Sequence, residues 1–205
     1  MTSKDPSDGG NSANELRDDA LAHRTWIRGH RSFFLFIQTA IVALTRLKSA
    51  LATGEKADVE RFFNQASLLM LGSAAAMRMA GDVNRESYQQ AVIPAMKARR
   101  EKFSGTDSSD HAELIRAYQA LTASLADLPQ SLTLAHQRFV AAVRTAKAAH
   151  KYVCADHGGN ERTSTGSGCK TELTGVETLE KLGNHRIAMV SPDPAKGAPR
   201  CPFHS

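Results

Sequence analysis

Apolar residues recur at intervals of three and four along most of the chain, the spacing of one face of an α-helix. His30, Phe34, Ile37, Ile41 and Leu44 share one such stripe and predict a helix from about 30 to 52, with Gly54 just past its end. A pattern upstream predicts a separate helix over about 14–28. Phe62, Ala66, Leu69, Met70 and Met77 form the inward face of a helix over about 56–80, ahead of Gly81. A short segment follows over about 86–99, kinked or broken by Pro94.

After a loop at 103–109, Asp110 reads as an N-cap with Glu113 three residues on, a variant of the capping box. That places His111 at the first position of a helix running to about 126. Pro129 opens the last long helix, about 129–155, whose stripe is Leu132, His136, Phe139, Val143, Ala146, His150 and Val153. Beyond it come a Gly- and Ser-rich loop at 158–168, one short helical stretch near 175–182, and a tail containing proline. No strand pattern or internal repeat is present. The expected organisation is all-α: a disordered leader over 1–13, one helical domain over 14–182, and a flexible tail over 183–205.

Composition narrows the function. The 205 residues carry a net charge of +5, but the 26 Lys and Arg are scattered among 21 acidic residues. No dense basic block interleaved with aromatics is present, so no nucleic-acid partner is expected. Three cysteines are too few for a disulfide framework. The first 20 residues lack an apolar signal region, and the most apolar run, Phe33 to Leu44, is interrupted by Gln38 and too short for a membrane span. A cytoplasmic protein without a membrane partner is therefore expected.

The candidate chemistry centres on histidine. His150 and Cys154 stand four residues apart, on one helical face and one turn apart. Ala142, Ala146 and Ala149 flank that face and leave room for a flat ring. An imidazole and a thiol so placed suit a haem, the imidazole on the iron and the thiol in a thioether to a vinyl group. The competing reading is a buried cysteine acting as a small apolar residue. His30 is either a histidine bonded to backbone at a helix end or a distal group facing bound oxygen or peroxide. At a helix N-terminus, the dipole disfavours the imidazolium form of His111, which leaves a base, an iron ligand or a simple capping neighbour. His136 lies about four turns from His150 and reads as a packing residue. His157, His185 and His204 fall in loops or tail. The loop over 162–168 offers backbone N–H groups and hydroxyls to an anion, or is a plain linker. It is not a P-loop, because Cys169 follows Gly168 where lysine belongs.

Several of these pieces occur in an order that resembles the histidine-ligated haem-dependent aromatic oxygenases. That superfamily includes tryptophan 2,3-dioxygenase and the haem-dependent tyrosine and 3-methyltyrosine hydroxylases. The segment from His30 to Phe36 is similar to the one carrying the distal histidine. Val92-Ile93-Pro94-Ala95-Met96, Phe103-Ser104-Gly105 and Asp110-His111 resemble the string of the hydroxylase branch. His111-x38-His150-x3-Cys154 resembles the covalent haem-attachment motif of the 3-methyltyrosine hydroxylase. Arg31 stands where glutamine is usual, and Ile93 where arginine precedes the proline.

The resemblance implies an all-α, single-domain bundle enclosing one haem (iron protoporphyrin IX) between the second helix and the last long helix. It implies His150 as the proximal iron ligand, Cys154 as the thioether, and His30 and His111 as catalytic groups on the distal side. Thr165, Gly166, Ser167 and Gly168 would form the substrate loop. Arg31, with Arg99 and Arg100, would be a candidate anchor for a substrate carboxylate. The implied reaction is hydroxylation of a tyrosine-like aromatic amino acid or a derivative by hydrogen peroxide or O2. Indole dioxygenation and a non-catalytic haem sensor or carrier are the alternatives, with self-association into a homo-oligomer left open.

Overall fold

The computed structural model describes residues 8–98, 108–157 and 173–192. Where two N-terminal helices are expected there is one, α1 (Asp8–Thr53), 46 residues in length and about 70 Å long at 1.5 Å per residue. Its first turns begin inside the stretch read as a disordered leader. Gly29, the expected break, lies within the helix. An isolated glycine costs a helix only about 1 kcal/mol against alanine, and here its missing side chain has a use. A Cβ at Gly29 would sit 2.5 Å from Ala80 Cα, so glycine lets two helices touch backbone to backbone.

Helix α2 (Lys56–Ala80) folds back along α1 and holds the predicted bounds. The next segment splits into α3 (Arg85–Ser87), a π-helical turn (Tyr88–Val92) and α4 (Ile93–Ala98). The side chain of Asn84 caps it by accepting from Ser87 N at 2.7 Å. Pro94 sits at the second position of α4, and the wide π turn that ends two residues before it accommodates its missing N–H.

Helix α5 (Ser109–Ala126) starts earlier than expected. Ser108 is its N-cap, without a side-chain bond, which moves His111 to the third helical position. The expected capping box is absent. Asp110 accepts from Gln38 Nε2 at 3.2 Å and so ties α5 to α1, while Glu113 pairs with Arg116. A 3₁₀ turn (Gln130–Leu132) leads into α6 (Thr133–Asp156).

The largest departure is α7 (Gly175–Val190), which continues eight residues beyond Leu182, through the position read as the start of a flexible tail. Thr174 and Glu177 form a full capping box at its start. Gly183-Asn184-His185-Arg186 resembles a helix stop, yet Gly183 is needed inside the helix. A Cβ there would meet Lys147 Cδ at 2.5 Å. The extra turns bury Met189 and Val190, and His136 Nε2 lies 2.6 Å from Val190 O. That contact gives His136 the packing role expected of it.

The described residues contain no strand, so the chain is all-α. Phe63, Phe139, Leu44, Leu47 and Tyr118 are fully buried where α1, α2, α5 and α6 meet. Contrary to the reading of Phe33–Leu44 as too short, α1 is long and apolar enough to cross a membrane by length and composition. In this fold its apolar stripe (Trp26, Phe33, Ile37, Leu44, Leu47) is buried against neighbouring helices.

Candidate functional site

A cavity of about 50 Å³ lies where α1, α2, α5, α6 and α7 converge. Phe33 and Ile37 of α1 supply apolar wall, and its polar lining includes His111, Tyr118, Lys147, His150 and Arg186. The first turn of α5 presents His111, whose ring stacks on Phe33 at 5.6 Å and meets Phe34 edge-on at 6.1 Å. Burial is the main reason its pKa falls to about 3, with the Arg186 and His150 charges adding to the effect. The neutral imidazole expected from the helix dipole is thus found, with desolvation as the leading cause. Its Nδ1 is buried and has no hydrogen-bond partner.

His150 reaches the same cavity from α6. Its pKa is lowered to about 4, first by desolvation, then by Arg186 and by His30. His30 is therefore within electrostatic reach of His150. The His30 ring tilts over Trp26 at 4.3 Å, and its Nδ1 lies 3.2 Å from Trp26 O. Burial lowers its pKa as well. Two imidazoles, His111 and His150, therefore share the cavity wall, and His30 lies outside that wall but in electrostatic reach of His150.

Cys154 follows one turn after His150. Its thiol is half-buried and its pKa is raised by burial. It acts electrostatically on Tyr88 in the π turn. Tyr88 in turn stacks on His157 at 4.0 Å with the rings 8° apart. His157, read from sequence as a loop residue without a role, caps α6 and lies 3.1 Å from Gly81 O. It joins the end of α6 to the end of α2 beside the His150–Cys154 face.

Two positively charged side chains line the cavity. Lys147 is engaged with Glu180 at 2.5 Å and Asn184 at 2.8 Å. Glu180 also accepts from Lys151 at 2.9 Å, and these two lysines hold its pKa down to about 2. Arg186 has no such partner among the described residues, and its Nε is fully buried without a hydrogen bond.

Of the residues singled out in the sequence, His30, His111, His150 and Cys154 fall in one neighbourhood. Arg31 is exposed on α1 and is not part of the cavity wall. Arg99, Arg100 and the loop residues Thr165, Gly166, Ser167 and Gly168 lie outside the described residues. Arg186, Tyr118 and His157 were not anticipated. Arg186 was hidden by ending α7 at Leu182. Tyr118 sits on a regular helical stripe with Leu114 and Leu121, a pattern that signals core and nothing more.

The family model for SfmD 3-methyl-L-tyrosine peroxygenase matches residues 2–138, more than half of the chain. The chain belongs to this family. The 3-methyl-L-tyrosine peroxygenase of Streptomyces lavendulae is 27% identical over 189 residues, covering 88% of this chain and 49% of that protein. The chain thus spans about half the length of the curated relative it matches. No solved structure matches. Within this peroxygenase-family chain the matched residues include His30 and His111 and stop in α6. His150, Cys154 and Arg186 lie beyond them.

The donor chemistry suits a haem. A neutral imidazole is the form that ligates iron, His150 makes no hydrogen bond among the described residues, and the Cys154 thiol stands one turn away. Among the described residues no group of three or more His, Cys, Asp and Glu is arranged to hold a metal ion. An iron carried in its own macrocycle needs only one imidazole. The enclosed space is the mismatch: about 50 Å³ against the roughly 300–1,000 Å³ of ordinary ligand pockets.

Proposed function

We propose that this chain is a haem-dependent peroxygenase that hydroxylates a tyrosine-like aromatic amino acid, within an all-α domain that includes the whole of α7 and whose cofactor is gripped by α6. The observation that carries the reading is the pairing of His111 and His150 on one cavity wall, with His30 in electrostatic reach of His150, all three pKa values lowered by burial, and Cys154 one turn beyond His150. Membership of the peroxygenase family supports the same reaction class.

The overall balance is simple: an aromatic C–H and hydrogen peroxide give a phenol C–OH and water. When bound, the haem supplies the redox chemistry that side chains lack. His150 is the residue that would hold the iron, and Cys154 the residue that would bond the porphyrin edge. His30 is set up as a base. Its Nδ1–H donates to Trp26 O, which leaves Nε2 as the basic atom of the neutral ring, and a histidine in that state takes a proton from peroxide and returns it as water leaves. His111 offers its unpartnered Nδ1 as a hydrogen-bonding point inside the cavity. Phe33 and Phe34 hold the His111 ring in place and keep its surroundings dry.

The test is to load the purified protein with haem and add hydrogen peroxide with L-tyrosine or 3-methyl-L-tyrosine. A hydroxylated product whose formation needs both haem and peroxide is expected. Spectral shifts with gas ligands but no turnover would make the protein a sensor or carrier instead. Dioxygenation of an indole substrate with O2 would move it to the other branch.

A further inference from the structure

Arg186 is a half-buried cation on the cavity wall, with its Nε sealed from solvent and without a hydrogen bond. A guanidinium stays protonated in proteins, so burial cannot be relieved by losing the charge. No carboxylate pairs with it among the described residues. The nearby acid on α7, Glu180, is already taken by Lys147 and Lys151. The groups in electrostatic reach of Arg186 are His111, His150, Tyr118 and His185, none of which brings a negative charge at neutral pH. A guanidinium whose Nε is sealed without a hydrogen bond is destabilising, and an incoming anion offsets that cost.

The space has a matching size. A water needs about 10–15 Å³ of such volume, so a cavity of about 50 Å³ takes roughly three or four small atoms. That is the size of a carboxylate group, whose larger body would have to extend beyond the cavity. His111 Nδ1, the second unpartnered atom here, adds a neutral hydrogen-bond donor in its Nδ1–H tautomer. The planar fork of Arg186 suits a carboxylate better than a spherical anion.

We infer that Arg186 and His111, both on the wall of this cavity, form a carboxylate-binding site. It is a positioning site that fixes one end of a bound molecule. The carboxylate has two sources under the proposed function, the aromatic amino acid or a propionate of the porphyrin. The inference rests on that function only for these two carriers.

The experiment compares wild type, Arg186→Gln and Arg186→Lys in two binding assays, each variant first checked for a cooperative thermal melt. One assay titrates L-tyrosine against tyramine, which lacks the carboxylate. The other titrates haem against haem dimethyl ester, whose propionates are blocked. Wild type is expected to prefer the free carboxylate by about tenfold in one assay, equivalent to 1.4 kcal/mol. Arg186→Gln is expected to bring that preference near unity, and Arg186→Lys to keep part of it. The assay that responds identifies the source. A preference unchanged in Arg186→Gln, or no preference by wild type in either assay, overturns the site. If Arg186→Gln does not fold, a full wild-type preference in Arg186→Lys overturns the fork geometry. Colourless wild-type protein would sink the proposed haem function while leaving the tyrosine assay readable, so the two failures stay separate.

Discussion

The two halves of the bundle handle their interiors in opposite ways. Where α1, α2 and α6 pack, the interior is Phe63, Phe139, Leu44, Leu47 and Ala66, and the buried Ser67 hydroxyl donates to Phe63 O at 2.7 Å. Toward α5 and α7 the interior holds His111, His150 and Arg186, and two of their buried nitrogens have no partner. Folding alone would favour the first arrangement everywhere, since buried polar groups without partners destabilise. Under the proposed function the second half is the receiving half, and packing in the first offsets the cost of its two unbonded nitrogens.

Substitutions in the two halves should therefore act in different directions. Phe139→Ala removes a fully buried ring from the packed half. It should cost about 3–5 kcal/mol and lower the melting temperature by roughly 10 °C, read by calorimetry. His150→Ala should leave the fold in place and weaken haem binding on the order of 100-fold, about 2.7 kcal/mol, read from the Soret band. Retained affinity with an unchanged spectrum would place the iron ligand elsewhere.

Acid should act through the receiving half. His111 and His150 have folded pKa values of about 3 and 4, below the unfolded value of 6.5. The unfolded chain therefore binds more protons in this range, and stability present above pH 6.5 is lost as pH falls toward 4. At pH 5 the loss should be about 2 kcal/mol for His111 and less for the more exposed His150, seen as a falling melting temperature. The smallest effect is expected for His111→Phe, which removes an unpartnered nitrogen and keeps a ring against Phe33. Its stability at neutral pH should stay within about 1 kcal/mol of wild type or rise, with a shallower acid loss. A penalty as large as that of Phe139→Ala would erase the distinction between the halves.

The packed half was the more legible in sequence, because its signal is periodicity. The α2 bounds and the Ile37–Leu44 and Phe139–Val143 stripes follow from spacing alone. Errors fell where local signals and tertiary contacts compete. Gly29 and Gly183 look like punctuation, yet each serves a close helix approach, to Ala80 and to Lys147. The receiving half was legible only in part. His30, His111, His150 and Cys154 stood out as residue types, and the fold brings them together. Arg186 did not, since a lone arginine past an apparent helix end carries no pattern. Its meaning lies in the absence of a partner, which only three-dimensional placement reveals.

The central claim is that the His150 imidazole and the Cys154 thiol together secure an iron porphyrin. The most direct measurement is the denatured mass of protein expressed with ample iron and haem precursor, beside Cys154→Ser prepared the same way. Wild type should carry the added mass of one haem after acid-acetone treatment, and Cys154→Ser should release its haem and run at polypeptide mass. Colourless wild-type protein at polypeptide mass would contradict the claim, and equal haem release from both proteins would remove the thioether from it.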